Sequence, residues 1–238
     1  MSADVYPAFA CPFFVKVHPD CDALNAQLRA LFLDCESQGE AFTEEYPVPT
    51  LKINTFESVF TVFSWPQPCI AQLKQFCFGS LGQVLNQVNG NTDLSALQIF
   101  NHTWFHVTRN GGYMGTHNHP MASWSGVYCV DPGGPDPENP DSGNLRFHDP
   151  RNSINMYMDA GNNTWVEPYA PGVLTFPAKA GQLVIFPSFL MHDVAPFTGE
   201  GERIVVAFNA WIKDSRVTAS SDGASPPDTQ RAASDSQP

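Results

Sequence analysis

Two histidines, His117 and His119, stand two residues apart just before a segment rich in β-branched and aromatic residues. In an extended chain, residues i and i+2 point to the same face, so both imidazoles reach toward one point. A third histidine, His192, lies at the start of a later apolar segment. Because neutral imidazole binds iron, zinc, copper and nickel, the three histidines predict a metal site with open coordination positions.

An arginine, Arg203, follows His192 by eleven residues and opens the segment RIVVAFNAWI. Strand alternation places Arg203, Val205, Ala207 and Asn209 on one face. A surface salt bridge is one interpretation of this arginine. However, a guanidinium on a face of small residues suits the wall of a filled pocket, where it needs an anion such as a carboxylate. A dicarboxylate cosubstrate would satisfy both the metal and the arginine.

The elements that must position these residues fall into two groups. Apolar residues recur at helical spacing over residues 20–38 and 67–88, which predicts two helices. From residue 97 onward, short β-branched and aromatic runs alternate with turn-forming clusters, which predicts strands. The predicted strands are LQIFNHTWFHVT, WSGVYCV, GNLRFHD, GVLTF, QLVIF, LMHDVAP and RIVVAFNAWI. This order indicates an α+β, mainly β fold, an antiparallel jelly roll with N-terminal helices packed outside.

The composition limits the possible partners. The chain has 238 residues and a formal net charge of −12, so it lacks the basic surface of a nucleic-acid-binding protein. No segment approaches the roughly 20 apolar residues of a membrane span, so we expect no membrane partner. Six scattered cysteines without a C-x-x-C pair, and no signal-peptide pattern, indicate free thiols and a cytoplasmic protein. The sequence leaves the oligomeric state open.

Residues 101–212 resemble the iron- and 2-oxoglutarate-dependent oxygenases. They are most similar to a group of bacterial and phage 2-oxoglutarate–Fe(II) oxygenases with an H-x-H-P motif. The similarity lies in HNHP followed by SGVYCV, then in SGNLRFHDPR, AGQLVIFPSFLMHDVAP and ERIVVAFNAW. These motifs occur in the same order over about half of the chain. The N-terminal segment ACPFFVKVHPDCDALNAQLRALF resembles the helical leader of the same group more weakly.

The resemblance implies a double-stranded β-helix, the jelly roll of these enzymes, with Fe(II) and 2-oxoglutarate as cofactors. It also implies O₂-dependent hydroxylation of a C–H bond, or a related oxidation, of a small-molecule or peptide substrate, with release of succinate and CO₂. By position, His117 and His192 correspond to metal ligands, and Arg203 corresponds to the residue that binds the distal carboxylate of 2-oxoglutarate. Further candidates for contacts to 2-oxoglutarate or substrate are Asn209, Tyr128 and Arg146.

The sequence departs from the broad superfamily at one position. Most members carry Asp or Glu two residues after the first histidine, which completes a set of two histidines and one carboxylate. Here that residue is His119, so either three imidazoles bind the metal or a carboxylate comes from elsewhere. Asp149 and Asp193 are the alternatives, although Asp193 adjoins His192 and adjacent strand residues face opposite ways. We predict His119 as the third ligand, because it shares a face with His117.

Two other functions stay open on the sequence alone. One is a three-histidine dioxygenase that uses O₂ without 2-oxoglutarate and pairs Arg203 with a carboxylate of its substrate. The other is a non-catalytic jelly-roll binding module with a structural metal. Formation of succinate and CO₂ from 2-oxoglutarate, with and without Fe(II), distinguishes all three functions.

The chain divides into an oxygenase domain with its helical section, residues 1–215, and a tail, residues 216–238. The tail is rich in Ser, Ala, Asp and Pro, and its only large apolar residue is Val217. Such a segment buries too little surface to offset the entropy of ordering, so we predict that the tail is disordered.

We therefore expect that residues 217–238 can be removed without loss of the fold. Thermal unfolding of the full-length and shortened chains, followed by circular dichroism, tests this expectation. A large drop in melting temperature on truncation would contradict it.

Overall fold

Nine strands and two long helices form the part of the chain that the computed structural model describes, residues 5, 7–45, 49–90, 93–151 and 156–216. All but the first residue of the predicted tail lies outside this part. The helices are α1 (Cys21–Ser37) and α2 (Pro68–Val88). The strands are β1 (Phe14–Val17), β2 (Lys52–Glu57), β3 (Leu97–His117), β4 (Trp124–Asp131), β5 (Leu145–His148), β6 (Val173–Phe176), β7 (Gln182–Pro187), β8 (His192–Val194) and β9 (Arg203–Asp214).

The strands form one antiparallel sheet in the order β1-β7-β4-β9-β3-β8-β5-β6, with β2 added to β3. The sheet curls because β3 belongs to two layers. Its residues 97–108 pair with β9, whereas Met114 and His117 pair with β8, with an irregularity in the register between them. A larger layer, β1-β7-β4-β9-β3-β2, therefore faces a smaller layer, β8-β5-β6. This arrangement confirms the predicted jelly roll.

The two helices cover the outer face of the larger layer, as the sequence predicts. Leu28 and Phe32 of α1 are fully buried, and the Phe32 ring stacks on the Phe105 ring of β3 at a centroid distance of 4.3 Å. The second helix contributes Ile70 and Leu73 to the same apolar core. Burial of an aliphatic or aromatic side chain is worth about 1.5–3 kcal/mol, so this core holds the helices on the sheet.

The inner face of the larger layer lines a cavity between the two layers. On β9, Arg203, Val205 and Ala207 face this cavity. Their partners in the β3 register are Thr108, His106 and Trp104, and paired residues share a face of the sheet. The intervening residues of both strands turn toward the helices. The alternation predicted for β9 is confirmed.

Two strands and the second half of β3 lie outside the predicted segments. The strand β1 has only four residues and pairs with β7 at the edge of the sheet. The strand β2 reads KINTFE, a half-polar segment that carries a register shift beside Asn54, whose φ is +43°. The second half of β3 contains three glycines, which favour turns in a sequence-based prediction. Only pairing with distant segments fixes these residues as strands.

In the described part of the chain, no helix is both long enough and apolar enough to span a membrane.

Candidate metal centre

Three imidazoles meet inside the cavity between the two layers. His117 ends β3 and His192 begins β8, and the two residues are directly paired across the strands. His119 follows β3 by two residues, and its backbone N–H donates to the Ser188 carbonyl at 2.9 Å. One ring nitrogen from each histidine lies within 4.8 Å of those of the other two. The structure thus brings together the three histidines that the sequence pattern selects.

Two of the three imidazoles are held in a defined tautomer by the backbone. His117 Nδ1 lies 2.8 Å from the Gly115 carbonyl, and His192 Nδ1 lies 2.8 Å from the Leu190 carbonyl. Because a carbonyl oxygen only accepts hydrogen bonds, each Nδ1 carries the proton. Each Nε2 then keeps its lone pair free. Metal-binding histidines use this arrangement, in which the second nitrogen donates to a carbonyl and fixes the ring.

The third imidazole, His119, is oriented by packing. Its ring centroid lies 5.1 Å from those of His117 and His192, and 5.8 Å from that of Trp104. Among the described residues, its ring has no hydrogen-bond partner. His119 can therefore rotate toward a ligand at smaller cost than the other two histidines, whose rings are tied to carbonyls.

Burial keeps these imidazoles in the neutral form that binds metals. Removal from water is the main cause that lowers the pKa of His119 to about 3 and the pKa of His192 to about 4. The neighbouring imidazoles lower both values further. The pKa of His117 is also lowered, again chiefly by burial. A metal ion therefore displaces no proton from these nitrogens at neutral pH.

Neither of the two alternative carboxylates joins the histidines. Asp149 is paired with Arg151, whose Nε donates to Oδ1 at 2.9 Å. Asp193 faces away from the cavity and accepts hydrogen bonds from Arg146 at 2.6 Å and from His148 at 2.8 Å. Within the described ranges, the three histidines are the only group of His, Cys, Asp or Glu side chains close enough to hold a metal.

The donor set fits a divalent transition metal such as Fe(II). It provides three neutral nitrogen ligands on the rigid ends of two paired strands and a following turn. Imidazole is a suitable ligand for iron, and three protein ligands leave coordination positions for a cosubstrate and O₂.

Arg203 lies in the same cavity as the three histidines. Its side chain is only 3% exposed, and Nε donates to the Gly143 carbonyl at 2.9 Å. Burial lowers its pKa, yet a guanidinium stays charged in proteins. Arg203 forms no ion pair with any residue that the structure describes. A buried charge of this kind requires an anion, and the free end of the guanidinium matches a carboxylate.

The three further candidates for cofactor contacts occupy different places. Asn209 lines the part of the cavity beside His117 and His119, and its Oδ1 accepts a hydrogen bond from Ser125 at 2.7 Å. Tyr128 and Arg146 point away from the cavity.

The positions of Tyr128 and Arg146 disagree with their interpretation as cofactor contacts. The Tyr128 hydroxyl donates to Asn25 Oδ1 of α1 at 2.8 Å, and Arg146 is paired with Asp193 on the outer face of the smaller layer. Alternation along β4 and β5 is the reason, since the residues next to them, Val127 and Leu145, are the ones that line the cavity.

A carboxylate that the sequence analysis missed also lines the cavity. Glu57 of β2 lies in its wall beside His117 and His119. It accepts hydrogen bonds from Lys52 at 2.6 Å and from His106 at 2.9 Å. The sequence offers no local signal for this placement, because only the pairing of β2 with β3 brings Glu57 to the cavity.

We expect the metal-free protein to lose stability as the pH falls from about 6.5 to 5. Unfolded histidine has a pKa of about 6.5, whereas burial holds the pKa of His119 at about 3 and that of His192 at about 4. In this window the histidines of the unfolded chain bind protons, whereas His119 and His192 of the folded chain do not. The free energy of unfolding therefore falls by up to about 1.4 kcal/mol per pH unit for each histidine.

Urea unfolding at a series of pH values measures this slope. The variant His119→Asn removes one of the titrating groups and should show a shallower slope in the same window. Equal slopes for the variant and the unchanged protein would contradict the assignment.

Residues 102–209, a little under half of the chain, match the model of a protein family described as "Putative 2OG-Fe(II) oxygenase". A search of curated protein sequences found no match.

Solved structures with the same fold include several oxygenases. A prolyl-4-hydroxylase from Pseudomonas putida is 16% identical and superposes with a TM-score of 0.53. The alignment covers 83% of this chain and 91% of the hydroxylase. A prolyl hydroxylase from Trichoplax adhaerens, in complex with a hypoxia inducible factor peptide fragment, is 12% identical with coverages of 88% and 87% and a TM-score of 0.55. HygX from Streptomyces hygroscopicus, with nickel, 2-oxoglutarate and hygromycin B bound, is 13% identical with coverages of 84% and 83% and a TM-score of 0.53.

At these identities the solved structures establish the fold, and the family model identifies the type of domain. The three-histidine site agrees with both findings. Residues 102–209 are therefore similar to the 2-oxoglutarate–Fe(II) oxygenase family, and the fold and the three-histidine site agree with this similarity.

Proposed function

We propose that the protein hydroxylates a C–H bond of a small-molecule or peptide substrate, with His117, His119 and His192 as the ligands of Fe(II). Arg203 binds the distal carboxylate of 2-oxoglutarate. One observation carries this proposal: the three imidazoles and a buried guanidinium without a described ion-pair partner line a single cavity.

Bound Fe(II) and 2-oxoglutarate supply the activation of O₂ for hydroxylation, with succinate and CO₂ as products. The protein's own residues hold and shield the reactants. His117 and His192 present fixed Nε2 lone pairs, because their Nδ1 atoms are engaged by carbonyls. Arg203 is fixed through its Nε, so the free end of its guanidinium keeps one direction for the carboxylate.

The apolar walls of the cavity exclude water from the reaction. Val127, Leu145 and Val205 line the cavity together with the histidines and Arg203. A low-dielectric wall strengthens the attraction between Arg203 and a bound carboxylate. Asn209 stands at the other side of the histidines, where we place the substrate.

The relatives of known structure indicate two classes of substrate. The Trichoplax adhaerens prolyl hydroxylase is in complex with a peptide fragment, and HygX has hygromycin B, a small molecule, bound. His117 and His119 are partly exposed, which allows a substrate of either class to approach them. All six cysteines are free thiols, and on this basis we propose a reducing, cytoplasmic compartment.

The proposed reaction is tested by adding 2-oxoglutarate to the protein under air, with and without Fe(II), and measuring succinate and CO₂. We expect both products only with Fe(II). An extract of metabolites and peptides, screened for a mass gain of one oxygen, then identifies the substrate. Oxidation of a substrate without any succinate would instead support a three-histidine dioxygenase that does not use 2-oxoglutarate.

We expect His119→Ala to abolish the binding of Fe(II), because only two of the three histidine ligands, His117 and His192, would remain. Asp149→Ala should leave this binding intact, since Asp149 is held by Arg151. Anaerobic titration of both variants with Fe(II), followed by calorimetry, measures this binding. The opposite result, with binding lost in Asp149→Ala and kept in His119→Ala, would assign the third ligand to the carboxylate.

We expect Arg203→Lys to weaken the binding of 2-oxoglutarate although it keeps the charge, because lysine lacks the planar fork. A lost charged hydrogen bond costs about 1.5–3 kcal/mol, which is roughly a ten- to hundredfold rise in the dissociation constant. Calorimetric titration of the Mn(II)-loaded protein with 2-oxoglutarate measures this dissociation constant. Arg151→Lys is the matched control outside the cavity, and an unchanged constant in both Arg203→Lys and Arg203→Ala would rule out this role.

A further inference from the structure

A buried cluster of Glu57, Lys52 and His106 lies beside the cavity, and Glu57 and His106 form part of its wall. The side chains of Glu57 and Lys52 are 11% and 15% exposed, and that of His106 is 8% exposed. Each carboxylate oxygen of Glu57 has one partner, Lys52 Nζ at 2.6 Å and His106 Nε2 at 2.9 Å. Burial alone raises the pKa of Glu57, but its hydrogen bonds and the charges of His106 and Lys52 outweigh burial and lower it. Glu57 is therefore ionised at neutral pH.

The geometry of the sheet directs this carboxylate toward the histidines. Glu57 is paired with His106 in the register of β2 and β3, and both side chains point into the cavity. Trp104 Nε1 lies 3.1 Å from His106 Nε2, and the Trp104 ring in turn contacts the His119 ring. Glu57 lines the same part of the cavity as His117 and His119. A contiguous row of side chains thus runs from this carboxylate to the third imidazole.

Lys52 offsets only part of the effect of Glu57 at the histidines. Lys52 is absent from the residues that line this part of the cavity, whereas Glu57 is present. Burial is the main cause that lowers the pKa of His117 and His119, and His106 lowers both further. Glu57 acts against these causes at both histidines, and Lys52 acts in the opposite sense to Glu57 at His117. The carboxylate and the ammonium therefore contribute to the local potential with opposite signs.

We propose that Glu57 supplies, without ligating the ion, part of the negative charge that a carboxylate ligand contributes in most members of the superfamily. Three neutral imidazoles leave a divalent metal with its full charge. In a cavity of low dielectric constant, a carboxylate in the wall beside the ligands still stabilises that charge. The inference rests on the proposed metal centre, and it concerns the affinity of that centre.

This role predicts changes of opposite sign from two neighbouring variants. Glu57→Gln removes the negative charge and keeps the size of the side chain, so the dissociation constant for Mn(II) should rise roughly tenfold. Lys52→Met removes the positive charge beside Glu57 and keeps the length of the side chain. It should lower the dissociation constant severalfold.

The experiment is a titration of the full-length protein with Mn(II), in which electron paramagnetic resonance counts the free ion. Glu57→Asp keeps the charge and should bind Mn(II) more tightly than Glu57→Gln. Glu36→Gln is the control for net charge, since Glu36 is paired with Arg109 near the end of α1, and its affinity should equal that of the unchanged protein. Thermal unfolding of each metal-free variant checks that it is folded.

The outcomes separate this inference from the metal centre itself. Weaker binding in Glu57→Gln together with tighter binding in Lys52→Met supports the inference. Unchanged affinity in both, or weaker binding in both, overturns it, because the cluster then only stabilises the fold. If Glu57→Gln does not fold, Lys52→Met decides alone, with tighter binding in favour and equal or weaker binding against. Failure of the unchanged protein to bind Mn(II), or retention of binding in His119→Ala, would instead contradict the proposed metal centre.

Discussion

The alternation of side chains along the strands of the larger layer is the constraint on which the whole structure depends. A strand presents only every second residue to one face, so each of β3, β4 and β9 must carry two separate sets of residues. One set is apolar and packs under the helices. The other set lines the cavity and includes Trp104, His106 and Arg203. A slip of one residue in register would move the buried guanidinium into the apolar core under the helices, where nothing could pair with it.

The length of β3 connects this layer to the metal site. Its first half is fixed by twelve residue pairs with β9, and its end is paired with β8 through His117 and His192. The histidines and the arginine therefore hold their relative positions through one continuous strand. The backbone completes the site, since the carbonyls of Gly115 and Leu190 orient the two imidazoles from two residues upstream. The orientation of His117 and His192 is thus a property of the strand ends, whereas that of His119 depends on packing against neighbouring rings.

The sequence predicts the features that depend on local spacing. Helical periodicity places both helices within about a residue of their observed ends, and the H-x-H triplet and the alternation from Arg203 to Asn209 select residues that meet in the cavity. The features that depend on pairing are harder to predict. β4 is apolar on both faces, so its periodicity does not tell which face Tyr128 takes. β5 does carry a signal, because Leu145 and Phe147 alternate with polar Arg146 and His148, which places Arg146 outside. Glu57 depends wholly on the long-range pairing of β2.

The charges in the cavity couple the binding of its two cofactors. The three imidazoles of the candidate centre are neutral, so the buried Arg203 guanidinium and a divalent metal would be two cations in one cavity. Binding of the metal alone would therefore add positive charge to a cavity with apolar walls, which is unfavourable. In the proposed centre, 2-oxoglutarate, which carries two negative charges, would offset both the charge of the metal and that of Arg203. Each cofactor therefore stabilises the other, and by linkage the gain in affinity is the same in both directions. A carboxylate ligand would reduce this dependence by neutralising part of the metal charge beforehand. With three imidazoles as its ligands, the proposed centre would rely on the cosubstrate, together with Glu57, for its charge balance.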